Sequence, residues 1–261
     1  MRHRVMRVAL LAQLLWGLSA LWPAGAAAIP GAGPRETVDQ TFTATRPNSP
    51  TGIGYTASFH AAGNPNAPPP YMRRMVFYPP PGMRYDTSVP ARCTAPDVVL
   101  EVRGPDACPA GSRLGGGTIE GLIMMPVAHS FVFDHYKHTV DVVNNTNQQI
   151  VLIKAEGYAV VRGQIRPDGS IDFPLAACFP APPTGDCVDD YVILLKSTSL
   201  LSPYTRTSAG RVRSYATTPA KCPARGYWRT TVRFWWTNGS IDSVATKEPC
   251  RRPRKTARRK H

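Results

Sequence analysis

The stretch 227–250, YWRTTVRFWWTNGSIDSVATKEPC, decides the fold. A run of β-branched and aromatic residues leads into Thr237-Asn238-Gly239-Ser240, and a second alternating run follows. Asn-Gly between two such runs is the strongest short-range signal for a β-hairpin. Taken as a two-residue type I′ turn, it sets Trp236 opposite Ile241, Trp235 opposite Asp242, Phe234 opposite Ser243, Val232 opposite Ala245 and Arg229 opposite Glu248. Alternation along a strand then gathers Trp228, Val232, Phe234, Trp236 and Ile241 on a buried face. Tyr227, Arg229, Arg233 and Trp235 share the other face, a ladder of aromatic and guanidinium groups of the kind that stacks on sugar rings or holds an anionic polymer. The competing reading is that these Arg and Trp side chains stack on one another.

Upstream the same grammar repeats. TFTATR, IGYTASFHA and RRMVFYPPPG are short β-branched and aromatic runs separated by Pro, Gly and Asn breakers. GTIEGLIMMPVA, TVDVVN, QQIVLIKAE, YAVVRGQI, SIDFPL and DDYVILLKSTSLL continue the pattern, with tight turns expected at 144–147 and at Pro167-Asp168-Gly169-Ser170. No long helix is written in this chain. The stretch TAPDVVLEVRGPDA reads as one short helix capped by Thr94 and ended at Gly104-Pro105. Many short strands at this spacing predict an all-β protein, an antiparallel β-sandwich.

The two ends read differently. Arg2, Arg4 and Arg7 precede an apolar run, and Ala24-Gly25-Ala26-Ala27-Ala28 supplies small residues, the pattern of a cleavable secretory signal. The run is broken by Gln13, Gly17 and Pro23 and is shorter than the roughly 20 residues a spanning helix needs. At the other end, residues 251–261 carry Arg251, Arg252, Arg254, Lys255, Arg258, Arg259 and Lys260. Setting aside the three cations of the first segment and the seven of the last leaves the body at +4 out of the formal +14. Overall basicity is therefore no argument for specific nucleic-acid binding; it belongs to a tail. The expected division is 1–28 signal peptide, 29–36 linker, 37–205 β-sandwich domain, 206–250 hairpin region and 251–261 basic disordered tail. The hairpin region either joins the main sheet or forms an appendage.

Six cysteines, Cys93, Cys108, Cys178, Cys187, Cys222 and Cys250, all follow the signal. An even count with no C-x-x-C pair fits disulfides in an oxidising compartment. Local geometry favours consecutive pairs: Cys222 with Cys250 clips the hairpin, Cys93 with Cys108 brackets the helix, and Cys178 with Cys187 closes the loop FPAPPTGD.

Chemistry-bearing motifs are scarce. There is no G-x-S-x-G elbow, no H-E-x-x-H and no P-loop, and Gly115-Gly116-Gly117 reads as a flexible turn. His129, Asp134, His135, His138 and Asp141 form the one polar cluster. In an extended strand Asp134 and His138 share a face about 13 Å apart, too far to hold one ion, and His135 points the opposite way. His60 stands alone at a strand end. Asn144-Asn145-Thr146 and Asn238-Gly239-Ser240 match glycosylation acceptors but are already accounted for as turns. Neither a cofactor nor a catalytic residue is indicated.

Residues 79–121, PPPGMRYDTSVPARCTAPDVVLEVRGPDACPAGSRLGGGTIEG, and residues 215–250 resemble a group of uncharacterised secreted proteins of high-GC actinobacteria, with their cysteine-flanked CTA…CP and CP…W…C segments. The preponderance of arginine, 24 against 7 lysines, suits a GC-rich genome. The resemblance implies an extracellular or cell-envelope β protein and transfers no catalytic residue. The expectation is a secreted or envelope-associated, non-enzymatic protein with a structural or binding role. The alternatives are a secreted hydrolase assembled from distant residues, or a module binding polysaccharide or an anionic envelope polymer through Tyr227, Arg229, Arg233 and Trp235.

Overall fold

The computed structural model describes residues 35–127, 130–175 and 191–251. Residues 1–34 with the expected signal, His129, Cys178, Cys187 and the tail beyond Arg251 lie outside the described residues.

The chain is all-β and antiparallel, with one short helix and a disulfide-clipped C-terminal hairpin. Three strands come first: β1 (Glu36–Phe42), β2 (Ile53–Phe59) and β3 (Met72–Tyr78). A two-residue strand β4 (Arg84–Tyr85) and helix α1 (Asp97–Arg103) follow. The middle of the chain forms β5 (Arg113–Val127), β6 (Ser130–Asn145), β7 (Gln148–Lys154), β8 (Tyr158–Ile165) and β9 (Ile171–Pro174). Next come β10 (Tyr191–Leu201), β11 (Thr205–Ser208), β12 (Arg211–Ser214) and β13 (Ala216–Thr217). The chain closes on β14 (Tyr227–Trp236) and β15 (Ile241–Pro249). Eleven strands make one sheet in the order β1-β2-β10-β5-β6-β7-β8-β9-β3-β14-β15. The C-terminal hairpin thus joins the main sheet, through β3.

This sheet rolls over on itself, so that its two facing layers are parts of one ladder. Tyr55 on β2 meets Phe77 on β3 edge to face at 5.0 Å, and Phe59 on β2 meets Phe234 on β14 at 5.3 Å, although these strands lie far apart in the sheet. The rolling brings β1 alongside β15. Side chains rather than a ladder join β1 to the β14–β15 hairpin. Gln40 Nε2 donates to Thr230 Oγ1 of β14 at 3.0 Å and Arg35 pairs with Asp242 of β15 at 3.2 Å, while within the hairpin Trp236 Nε1 donates to Asp242 at 2.8 Å. The Arg35 guanidinium also lies 5.3 Å over the Trp236 ring.

Glycines let neighbouring strands approach closely at one place in the sheet. Gly115, Gly116 and Gly117 are not a turn; they sit within β5 between β10 and β6. A Cβ at these positions would run into the carbonyl oxygens of Leu200, Val140 and Thr198 respectively. Only a residue without a side chain lets the backbones approach this closely.

Two further expectations need correcting. Helix α1 starts after Pro96, whose carbonyl accepts from Val99 and Leu100, so Thr94 lies two residues too early to cap it. Its end at Gly104, with φ +55°, and its bracketing by Cys93–Cys108 agree with the sequence. The last hairpin has a three-residue loop, not a type I′ turn. Trp236 N donates to Ser240 O at 3.0 Å and Gly239 N to Trp236 O at 3.1 Å. Only Gly239 has positive φ, whereas type I′ requires it at both central residues. The pairing therefore shifts by one residue: Trp235 faces Ile241, Val232 faces Val244 and Trp228 faces Glu248. A one-residue slip turns every side chain of the partner strand to the other face, and Ile241 is 57% exposed rather than buried. The faces of β14 itself are as expected, with Trp228, Val232, Phe234 and Trp236 buried.

The β1–β15 seam contains two buried carboxyls. Glu36 is pushed up from 4.5 to about 8, first by burial and then by the neighbouring Asp242 carboxyl, against the pull of Arg35. Glu248, fully buried with Thr246 Oγ1 donating to it, is raised by burial as well. In the unfolded chain Glu36 ionises at its ordinary value, so between about pH 4.5 and 8 the folded protein keeps a proton the unfolded one has released. Its contribution to stability is complete below that window and is lost as pH rises through it. Stability is expected to fall over this interval by at most about 1.4 kcal/mol per pH unit for one proton, and the thermal midpoint with it. Glu36→Gln should flatten the descent; an equally steep descent in the variant would assign the proton elsewhere.

Candidate functional site

The four ladder residues lie together on the outer face of β14, but most of the aromatic surface there is already occupied. Arg74 of β3 covers the half-buried Trp235 ring at 4.7 Å, and Arg74 is itself held by Asp172 at 2.7 and 2.9 Å. Arg233 lies 5.3 Å over Tyr78, while Arg225 and Lys247 approach Tyr227 at 4.8 and 5.3 Å. Arg229 is exposed. The face is a set of internal cation–π pairs, each worth about 0.5–1 kcal/mol where exposed.

The other sequence candidates do not converge. Among the described residues no group of three His, Cys, Asp or Glu is placed to hold a metal ion. His135 and His138 fall on opposite faces of β6, and His60 Nδ1 lies 2.8 Å from Ala61 O. Asn144 is fully buried, with Nδ2 donating to Thr87 O at 3.0 Å and Ala91 O at 2.9 Å. Asn238 Oδ1 accepts from Ser240 N and Oγ, stapling the turn.

The principal concavity is one the sequence did not disclose. The inward faces of the rolled sheet enclose a chamber of about 470 Å³. Pairing across the sheet shows how it is built. Ile53, Leu201, Val142, Val151 and Val161 fall in one row from β2 to β8, and Tyr55, Ser199, Val140, Ile153 and Ala159 in the next. All ten line the chamber, and Phe77, Ile171 and Phe173 of β3 and β9 line it as well. Strand β7 is covered on both faces. Its Ile150 and Leu152 pack outward against Leu100 of α1 and the Cys93–Cys108 bridge, while Val151 and Ile153 face the chamber. The short helix and its disulfide therefore brace the chamber wall from outside.

Strands β8 and β9 pair only over Gln164–Ile165 with Ile171–Asp172. Beyond that point β9 continues onto β3, and the chamber lining runs through the gap past Tyr158 to Arg162, Asp97 and Glu101. Arg162 is tied to Asp97 Oδ1 at 2.8 and 2.5 Å. A side mouth rimmed by charge thus leads into an apolar interior.

Polar side chains on the chamber wall are mostly satisfied. Gln40 donates to Thr230, and Gln149 Nε2 donates to the buried Tyr215 hydroxyl at 2.9 Å. Burial pushes the Tyr55, Tyr136 and Tyr215 hydroxyls up, so all three are neutral near pH 7. Comparison with known proteins finds no counterpart: no family model, curated protein or solved structure matches the chain. Function has to be argued from the chamber itself. Tyr215→Phe would leave the Gln149 amide buried without its acceptor and is expected to cost about 1–3 kcal/mol in denaturant unfolding. A loss below about 0.3 kcal/mol would show that the amide has another partner or reaches water.

Proposed function

We propose that this chain is an exported, non-enzymatic binding protein that takes an apolar small molecule into the interior of its rolled sheet. The observation that carries the reading is the chamber of about 470 Å³, walled by aliphatic and aromatic side chains from most of the sheet. That volume lies within the range of small-molecule sites, which are concave, largely apolar and fitted with a few placed polar groups. A core meant only for stability would be filled, since protein interiors pack like organic crystals and cavity space costs about 24 cal/mol per Å³. Export is supported by the signal-like residues 1–28 and by the disulfides Cys93–Cys108 and Cys222–Cys250, which belong to oxidising compartments. Among the described residues no helix is long and apolar enough to cross a membrane.

The outer face of β14 is the weaker site for a polysaccharide or envelope polymer, because its aromatic rings are covered by the protein's own cations. The chamber also favours binding over hydrolysis: the described lining has no nucleophile beside a base held by a third group.

The test is titration of the mature protein with an uncharged naphthylamine fluorophore. Saturable binding is expected, and Ala159→Phe and Val161→Phe, which place a ring in the chamber, should weaken it at least about tenfold with little change in thermal midpoint. Absence of binding, or equal binding by both filled variants, would overturn the reading.

A further inference from the structure

One wall of the chamber is chemically unlike the rest. Tyr136 and His138 follow each other on the inner face of β6, their rings stacked at 5.1 Å and 22°. The Tyr136 ring lies across Gly121 of β5, where a Cβ would run into the phenol. Its hydroxyl is buried and, among the described residues, has no hydrogen-bond partner. Among the described residues His138 makes no hydrogen bond either, and Ser197 stands in the same cross-strand row, two strands away, with Ile119 between them. A buried hydroxyl left unpaired costs about 1–3 kcal/mol, so a native fold that keeps one gives it a use.

Charge narrows that use. Among the described residues the charged ones of the lining, Asp97, Glu101 and Arg162, all belong to the mouth beside β8, and Arg162 is neutralised by Asp97. Lys137 and Lys196, near Tyr136 in sequence and pairing, stand in the row of Glu120, and Lys137 is bonded to Glu120 at 2.9 Å. A carboxylate or phosphate at the Tyr136 wall would be buried with no Lys or Arg beside it and only the His138 imidazole at hand, which is expensive. A carbonyl or hydroxyl would not.

Resting on the chamber reading above, we infer that the ligand is a neutral amphiphile, a fatty ester, alcohol or acylglycerol, whose polar head accepts a hydrogen bond from the Tyr136 hydroxyl beside His138. Its apolar body lies along Val140, Ile153, Val151 and Val161 toward β8. Burial keeps the phenol protonated, so the donor is present across the neutral pH range.

Displacement of the naphthylamine fluorophore from the mature protein tests this. A medium-chain methyl ester is expected to displace it at roughly tenfold lower concentration than the matching ionised carboxylate. Tyr136→Phe should weaken the ester about five- to tenfold, with a cooperative thermal transition near that of the wild type certifying the fold of the variant. Carboxylate binding as tight as the ester in the wild type, or an ester indifferent to the loss of the hydroxyl, would overturn the inference while leaving the chamber reading intact. Failure of the fluorophore to bind the wild type would instead remove the chamber reading on which it rests.

Discussion

The closure of β1 against β15 is the constraint on which the rest of this structure depends. A sheet of eleven strands, all antiparallel, has an odd count, so its two end strands must run in the same direction. The contacts agree: Arg35 reaches Asp242 at one end of the seam, and Arg251 N donates to Thr45 O at the other. Antiparallel neighbours are joined by the perpendicular ladder that β-turns set up, whereas parallel neighbours need a crossover to be brought together. Here the whole sheet is the crossover. The seam is accordingly made from side chains, with Gln40–Thr230, Arg35–Asp242 and Arg35 over the Trp236 indole in place of a ladder. Exposed strand edges invite association with other chains, and closing the roll hides both.

Closure has a geometric cost that appears in the glycines and a packing consequence that appears in the chamber. Gly115, Gly116 and Gly117 let β5 press against both neighbours. The two ends of the roll are then filled by different clusters. Phe42, Tyr215 and Trp228 occupy one, and Phe59, Phe234 and Trp236 the other. Between them Tyr55 meets Phe77 across the interior, whereas β6, β7 and β8 present the shorter Val140, Val142, Val151, Ile153, Ala159 and Val161. The chamber is thus set by where large side chains stop.

What could be read from the sequence follows the range of each interaction. Alternation on β14 is a period of two within one strand, so the buried set Trp228, Val232, Phe234 and Trp236 was legible, as was the outward ladder of Tyr227, Arg229, Arg233 and Trp235. The turn was less so, because Asn-Gly suits loops of two or three residues and the difference lies in φ at Asn238. That single angle moved Ile241 to the outer face. The glycine triplet was misread because glycine permits a turn and a close approach equally, and its neighbours β10 and β6 are remote in sequence or turned back upon it. Alternation shows which side chains face inward but not how far away the opposite wall stands. Tyr136 passed unnoticed for the same reason: only the rolled sheet makes its hydroxyl an orphan.

Seam and chamber are not independent parts. Gln40 and Thr230, which bridge β1 to β14, also line the chamber. Opening the seam would therefore admit water to the apolar rows behind it. A ligand that fits only the closed chamber would stabilise the closed seam by its binding free energy, growing as RT ln(1 + [L]/Kd). The same linkage runs backward through Glu36: ionising a carboxyl buried beside Asp242 weakens the closed state and so must weaken any ligand that requires it. The side mouth at β8 separates entry from this coupling, because β8 and β9 part without disturbing the seam on the far side of the sheet order. A ligand that exchanged through the mouth would therefore do so with the roll closed.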